Sequence, residues 1–139
     1  MSGKVVLNEA FFERWRVALA ADAEAAVRGH RCTLELCLYW DDTPWMISIK
    51  QGALAAAETG PWHMRIAGLT MRASAETWQT FWQPVPPPGF HDLMAMSSYG
   101  HCRIEGNIEL MRTHLGFIKS LMAAPRQFIA QGEPAGVVS

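Results

Sequence analysis

The side chains best suited to acid–base, nucleophilic or metal-binding work in this 139-residue chain are five histidines and three cysteines. His91 precedes Asp92 directly, a pairing that could act in acid–base chemistry, although an Asp at that point also serves to start a helix. His101 and Glu105 would share one face of a strand. Four residues of strand set them about 13 Å apart, too far to grip one metal ion directly. His114 falls on the same helical side as Leu110, Phe117 and Leu121, where it reads as a hydrogen-bonded core residue or as a polar anchor for a ligand head group. Cys32, Cys37 and Cys102 are odd in number and lack a Cys-x-x-Cys pair, which supports neither a disulfide framework nor a structural zinc site. The chain has no Gly-x-Ser-x-Gly elbow, phosphate loop, His-Glu-x-x-His or Gly-x-Gly-x-x-Gly. A protein with no cofactor, no metal and no catalysis is therefore expected.

Composition narrows the partners. The chain carries 12 basic and 13 acidic residues, scattered between Lys4 and Arg126 without a basic stripe, so nucleic acid is not an expected partner. Half of the residues are apolar, enough for one core in one domain. Six Trp, eight Met and six Phe exceed what a domain of this size needs to fold. No run reaches the ~18 to 20 apolar residues of a membrane span, and Lys4, Glu9 and Glu13 stand where a signal peptide would be apolar. These features predict an uncleaved cytoplasmic protein with reduced thiols and no integral membrane association. The ending Gly136-Val137-Val138-Ser139 is not a peroxisomal address.

The elements follow from periodicity. Asn8 can cap one helix running to Arg28, with Phe12, Trp15 and Leu19 on a face and Gly29 as its stop. Leu34, Leu36, Leu38 and Trp40 alternate with polar residues, and Trp45, Ile47 and Ile49 continue that face after the Asp41-Asp42-Thr43-Pro44 turn. A weaker strand follows from Ala53 to Glu58, and another from Trp62 to Arg72, whose apolar phase shift suggests a bulge near Gly68. Ser74 can cap a short helix bearing Trp78, Phe81 and Trp82, stopped by Pro84. Pro84 to Gly89 is a stiff connector, and a second short helix from Phe90 ends near Gly100. A strand from His101 to Glu105 leads into a last helix, from Ile108 to Met122, that Pro125 stops. The resulting fold class is α+β, a five-stranded, mainly antiparallel sheet with helices on one face. The domain spans 8–124, between an N-terminal arm, 1–7, and a flexible tail, 125–139.

Soft and aromatic side chains gather around the connector and the last helix. Pro-stiffened short helices laid over a sheet leave irregular space that Met and Trp can line, so an apolar tunnel is a physical option beside plain core packing. Its candidate lining is Trp78, Phe81, Trp82, Phe90 and Met94, with Met111, His114, Phe117, Ile118 and Leu121 from the last helix.

Three stretches carry a resemblance. Trp45-Met46-Ile47-Ser48-Ile49-Lys50-Gln51-Gly52, Ile66 to Trp78, and Cys102-Arg103-Ile104-Glu105-Gly106-Asn107, taken in order, resemble the sterol carrier protein type-two domain family over approximately Phe11 to Met122. The resemblance implies a five-stranded sheet whose helices enclose a hydrophobic tunnel, and binding of a lipid, fatty acyl or sterol-like molecule without a covalent step. It also implies a bacterial-type stand-alone module; a partner enzyme or a second copy of the chain in a homodimer is a further expected partner. Two alternatives stay open: an enzyme or accessory domain using His91 with Asp92, or His114, on an apolar metabolite, and a helix-face protein-interaction module.

Overall fold

A computed structural model describes residues 4–60, 67–130 and 137–138. Its centre is a five-stranded sheet in the order β4-β3-β2-β5-β6, built from β2 (Leu34–Trp40), β3 (Thr43–Lys50), β4 (Ala53–Thr59), β5 (Leu69–Ala73) and β6 (Arg103–Gly106). The β2–β3, β3–β4 and β5–β6 pairs are antiparallel, whereas β2 and β5 run parallel, so the sheet is mixed. The β2–β3 register sets Leu34 opposite Ile49, Leu36 opposite Ile47 and Leu38 opposite Trp45, the face that alternation predicts. A register shift lies between Ser48 and Ile49 in the β3–β4 pair. Gly68 stands just before β5, its N–H donating to the Glu35 carbonyl at 2.8 Å. The expected phase change at Met64 and Ile66 lies outside the described residues.

Helices cover one face. The predicted first helix is two, α1 (Glu9–Ala21) and α2 (Ala23–Gly29). Asp22 separates them because its carboxylate accepts the Ala25 N–H, capping α2 with an extended backbone at φ −86° and ψ 100°. α3 (Ala75–Phe81) and α4 (Leu93–Ser98) start at their predicted caps, where Ser74 accepts from the Thr77 N–H and Asp92 from those of Met94 and Ala95. The predicted last helix is also split, at His114 (φ −112°, ψ 23°), into α5 (Ile108–Thr113) and α6 (Leu115–Ala123). After Pro125 the chain does not simply trail away. Residues assigned to the tail form α7 (Arg126–Ala130), with Phe128 buried, and β7 (Val137–Val138) pairs antiparallel with β1 (Lys4–Val5).

The core joins Leu36, Leu38, Ile47, Leu69 and Met71 of the sheet to Phe11 and Trp15 of α1, Trp78 and Phe81 of α3, and Phe117 and Leu121 of α6. The opposite face is open only in part: Cys37, Met46 and Ser48 are buried there, while Arg72 lies 4.1 Å from the centre of the Tyr39 ring and its Nε donates to Glu105 at 2.6 Å. Hydrogen bonding by Arg72 holds the Glu105 carboxyl below the ordinary carboxylate range.

Candidate functional site

The sequence-predicted lining splits into two sets. Trp78, Phe81, Trp82, Phe117, Ile118 and Leu121 are fully buried, and Met111 nearly so. Trp82 sits at the centre of a ring cluster, with ring centres 5.3 Å from Phe11, 5.5 Å from Trp15 and 5.8 Å from Trp78. Three indoles also satisfy their polar edge: Trp15 donates to the Leu121 carbonyl at 2.8 Å, Trp78 to that of Tyr39 at 2.8 Å and Trp82 to that of Met122 at 2.7 Å. Phe117 lies against Gly29, where a Cβ would stand 2.3 Å from its ring. Phe90, Met94 and His114 are half-buried, with Phe90 and Met94 packed against the buried core from outside. Phe90 stacks on His101 with ring centres 4.3 Å apart, and His114 stands at the break between α5 and α6.

Of the acid–base candidates, Asp92 is otherwise occupied. Asp92 accepts two backbone N–H groups and lies 3.4 Å from the Lys119 ammonium, while His91 is exposed. This geometry caps a helix and does not assemble an acid–base pair. His101 lies outside β6, so it does not share a strand face with Glu105. The three cysteines are buried free thiols, and burial pushes Cys32 up to about 11 and Cys102 up to about 12. Thiols held protonated in this way are poor nucleophiles. No group of three or more His, Cys, Asp or Glu suited to a metal ion occurs among the described residues.

A groove of about 660 Å³ opens beside the ring cluster. Val17, Ala18 and Ala21 of α1 face Ser120 and Ala123 of α6 across it, and Phe128 of α7 and Ala124 are its most buried members. Arg14, Asp22, Ser120 and Gln127 give it polar atoms. None of the ten residues expected to line a tunnel borders it. Phe128 links the two regions: it borders the groove, lies 5.1 Å from Phe11 centre to centre, and has the Arg14 guanidinium 5.9 Å over its ring. A second hollow, bordered by Tyr39, Asp41, Asp42, Arg72 and Ser74, is polar, and its Arg72 is already paired with Glu105.

Neither a family sequence profile nor a curated protein matches the chain. Solved structures do. Sterol carrier protein 2 superposes with a TM-score of 0.68 at 15% identity, covering 86% of this chain and 96% of its own. The chain has the sterol carrier protein 2 fold. A conserved hypothetical protein of Thermus thermophilus, TT1886, suggested to be a sterol carrier protein, gives 0.67 at 15% identity over 91% of this chain and 92% of its own. A ubiquinone synthesis protein, UbiJ-SCP2, gives 0.51 at 14% identity over 88% and 89%. At these identities the likeness establishes the SCP2-like architecture and leaves the ligand to be argued from this chain's own residues.

Sequence reasoning missed the groove because small residues make it. Ala18, Ala21, Ala123 and Ala124 mark a place where side-chain volume is withheld, and the only signal was their recurrence on two helices.

Proposed function

We propose that this SCP2-like domain binds a hydrophobic small molecule or lipid without converting it chemically, in the groove between α1, α6 and α7. The observation that carries this reading is the double position of Phe128, at once a groove wall and a neighbour of Phe11 in the ring cluster. Turning Phe128 away would extend the groove toward Phe11, Trp82 and Leu121, so that two of the expected lining residues form its deep end. Trp78, Phe81, Phe90, Met94, Met111, His114, Phe117 and Ile118 then act as the frame around it. The groove volume of about 660 Å³ lies within the range of small-molecule sites. An aliphatic or isoprenoid chain of a dozen methylenes would gain a gross ~10 kcal/mol on burial, reduced by the ordering cost of binding. Three buried free thiols fit a reducing compartment such as the cytoplasm, where the domain would hold its ligand for a partner enzyme.

Native mass spectrometry of freshly purified protein tests for a co-purified apolar molecule, and titration of stripped protein with a fluorescent long-chain fatty acid tests the groove. Binding should change Trp emission. Ala21→Phe, at an exposed groove position, should lower affinity while leaving thermal unfolding unchanged. A protein that carries no apolar molecule and binds none from any lipid class rejects the reading.

A further inference from the structure

The groove between α1, α6 and α7 has two unlike ends. Contacts between its walls run in opposite directions along the chain: Arg14 lies over the Phe128 ring, Trp15 donates to the Leu121 carbonyl, and Arg28 of α2 packs against Gly116, where a Cβ would stand 3.3 Å from its side chain. Arg14 therefore shares one end of the groove with Gln127 and Phe128. Asp22, between Trp15 and Arg28 in the chain, falls at the other end beside Ser120. Eight residues of helix place Arg14 and Asp22 about 12 Å apart along the α1 axis. Val17, Ala18 and Ala21 fill the same side of the helix between them.

The Asp22 end is rich in acceptors. Asp22 Oδ1 accepts the Ala25 N–H at 3.1 Å, and among the described residues nothing donates to Oδ2. The Ser120 hydroxyl directs its proton to the Gly116 carbonyl at 3.2 Å, which leaves its lone pairs open to a ligand. α1 also ends here, with no basic residue in its last turn to face its carbonyl groups. Both Asp22 and Ser120 are half-buried. A chain ending there in a methyl group would take water from a carboxylate and return no hydrogen bond, which is unfavourable.

We infer that the molecule held in this groove carries a hydrogen-bond donor, a hydroxyl or an ammonium group, on the end of its apolar chain that lies between Asp22 and Ser120. The opposite end, where the Arg14 guanidinium and the Gln127 amide supply donors, suits an acid head. The ligand class is a medium-length chain with a polar group at each end, about ten carbons long when extended over the distance between Arg14 and Asp22. This inference rests on the proposed function and narrows it from an apolar molecule in general to one functionalised at both ends.

The test is competition against the fluorescent fatty acid on the full chain, with dodecanoic acid and its ω-hydroxy and ω-amino derivatives as competitors. At least one derivative should bind about three- to tenfold more tightly than dodecanoic acid, and the tighter of the two identifies the donor. Asp22→Asn removes the charge but keeps the α2 cap, since Asn and Asp serve alike there, so thermal unfolding should not change. It should abolish any preference for the ω-amino acid. Ser120→Ala should lessen a preference for the ω-hydroxy acid. Dodecanoic acid itself should bind neither variant more weakly than it binds the wild type. Derivatives that bind no better than dodecanoic acid, or a preference that survives both substitutions, overturn the inference and leave the groove reading standing. Failure of the fluorescent probe and all three acids to bind rejects the groove reading, and this inference with it.

Discussion

The indole N–H of Trp82 donates to the carbonyl oxygen of Met122 at 2.7 Å, one residue beyond the Leu121 carbonyl that Trp15 holds at 2.8 Å. Both carbonyls belong to the last turn of α6, where carbonyl groups run out of regular intrahelical N–H donors, and that of Leu121 also accepts the Ala124 N–H. Two rings from α1 and the end of α3 thus fix the end of the helix that borders the groove.

Trp82→Phe keeps an aromatic ring but leaves the buried Met122 carbonyl unsatisfied. Stability should fall by about 1 to 3 kcal/mol, read from urea unfolding. Trp82→Ala adds a cavity and should cost about 3 to 5 kcal/mol.

Phe128→Ala removes the ring between groove and cluster. A fluorescent fatty acid should enter faster in stopped-flow mixing than it does with the wild type. The fold should lose about 3 kcal/mol or somewhat less, because the short α7 can adjust around the gap. An unchanged entry rate would separate Phe128 from ligand access.

Arg126→Met retains most of the aliphatic stem over Phe81, where the guanidinium now lies 4.5 Å from the ring centre, and removes the donors to three carbonyls. Backbone amides of α7 should then exchange with deuterium faster, while those of β2 and β3 keep their protection.

Alkaline pH should destabilise the protein through its thiols. Burial raises Cys32 from 9.0 to about 11 and Cys102 from 9.0 to about 12, and it raises Cys37 as well, against an opposing pull from Arg72. The unfolded chain releases these protons near pH 9 while the folded chain keeps them. Their contribution is therefore fully present below pH 9 and is lost as pH rises through 9 toward 12. Cys32→Ala with Cys102→Ala should flatten this part of the pH–stability curve relative to the wild type.

The sheet and the helix starts were legible because they rest on local patterns. Leu34, Leu36 and Leu38 meet Ile49, Ile47 and Trp45 in the register that a period of two requires, and Asn8, Ser74 and Asp92 accept the backbone N–H groups that open their helices. Asp22 escaped because an Asp inside an Ala-rich run also fits a helix interior, and only its bond to the Ala25 N–H turns it into a cap. Pro125 read as a stop. It ends α6 and also opens α7, since proline is tolerated where the first turn needs no N–H, and its carbonyl accepts from Ile129 at 3.1 Å. The parallel β2–β5 pair left no trace in either strand's own alternation, as each period reports a face and not a neighbour.

For the candidate site the difference is one of sign. Large side chains such as Trp78 and Phe117 stand out in a sequence, but here they occupy the interior, Phe117 so tightly that Gly29 must lack a Cβ. The groove is defined by alanines, whose contribution is the room they leave.

The parallel seating of β5 beside β2 also bears on synthesis. Leu36 waits for Leu69, 33 positions later, so a chain still emerging from the ribosome, or one cut within that interval, displays the hairpin strands with one flank of β2 unpaired. That bare flank, carrying Leu36 and Leu38, is the kind of template on which foreign strands assemble, and early release or truncation there invites aggregation.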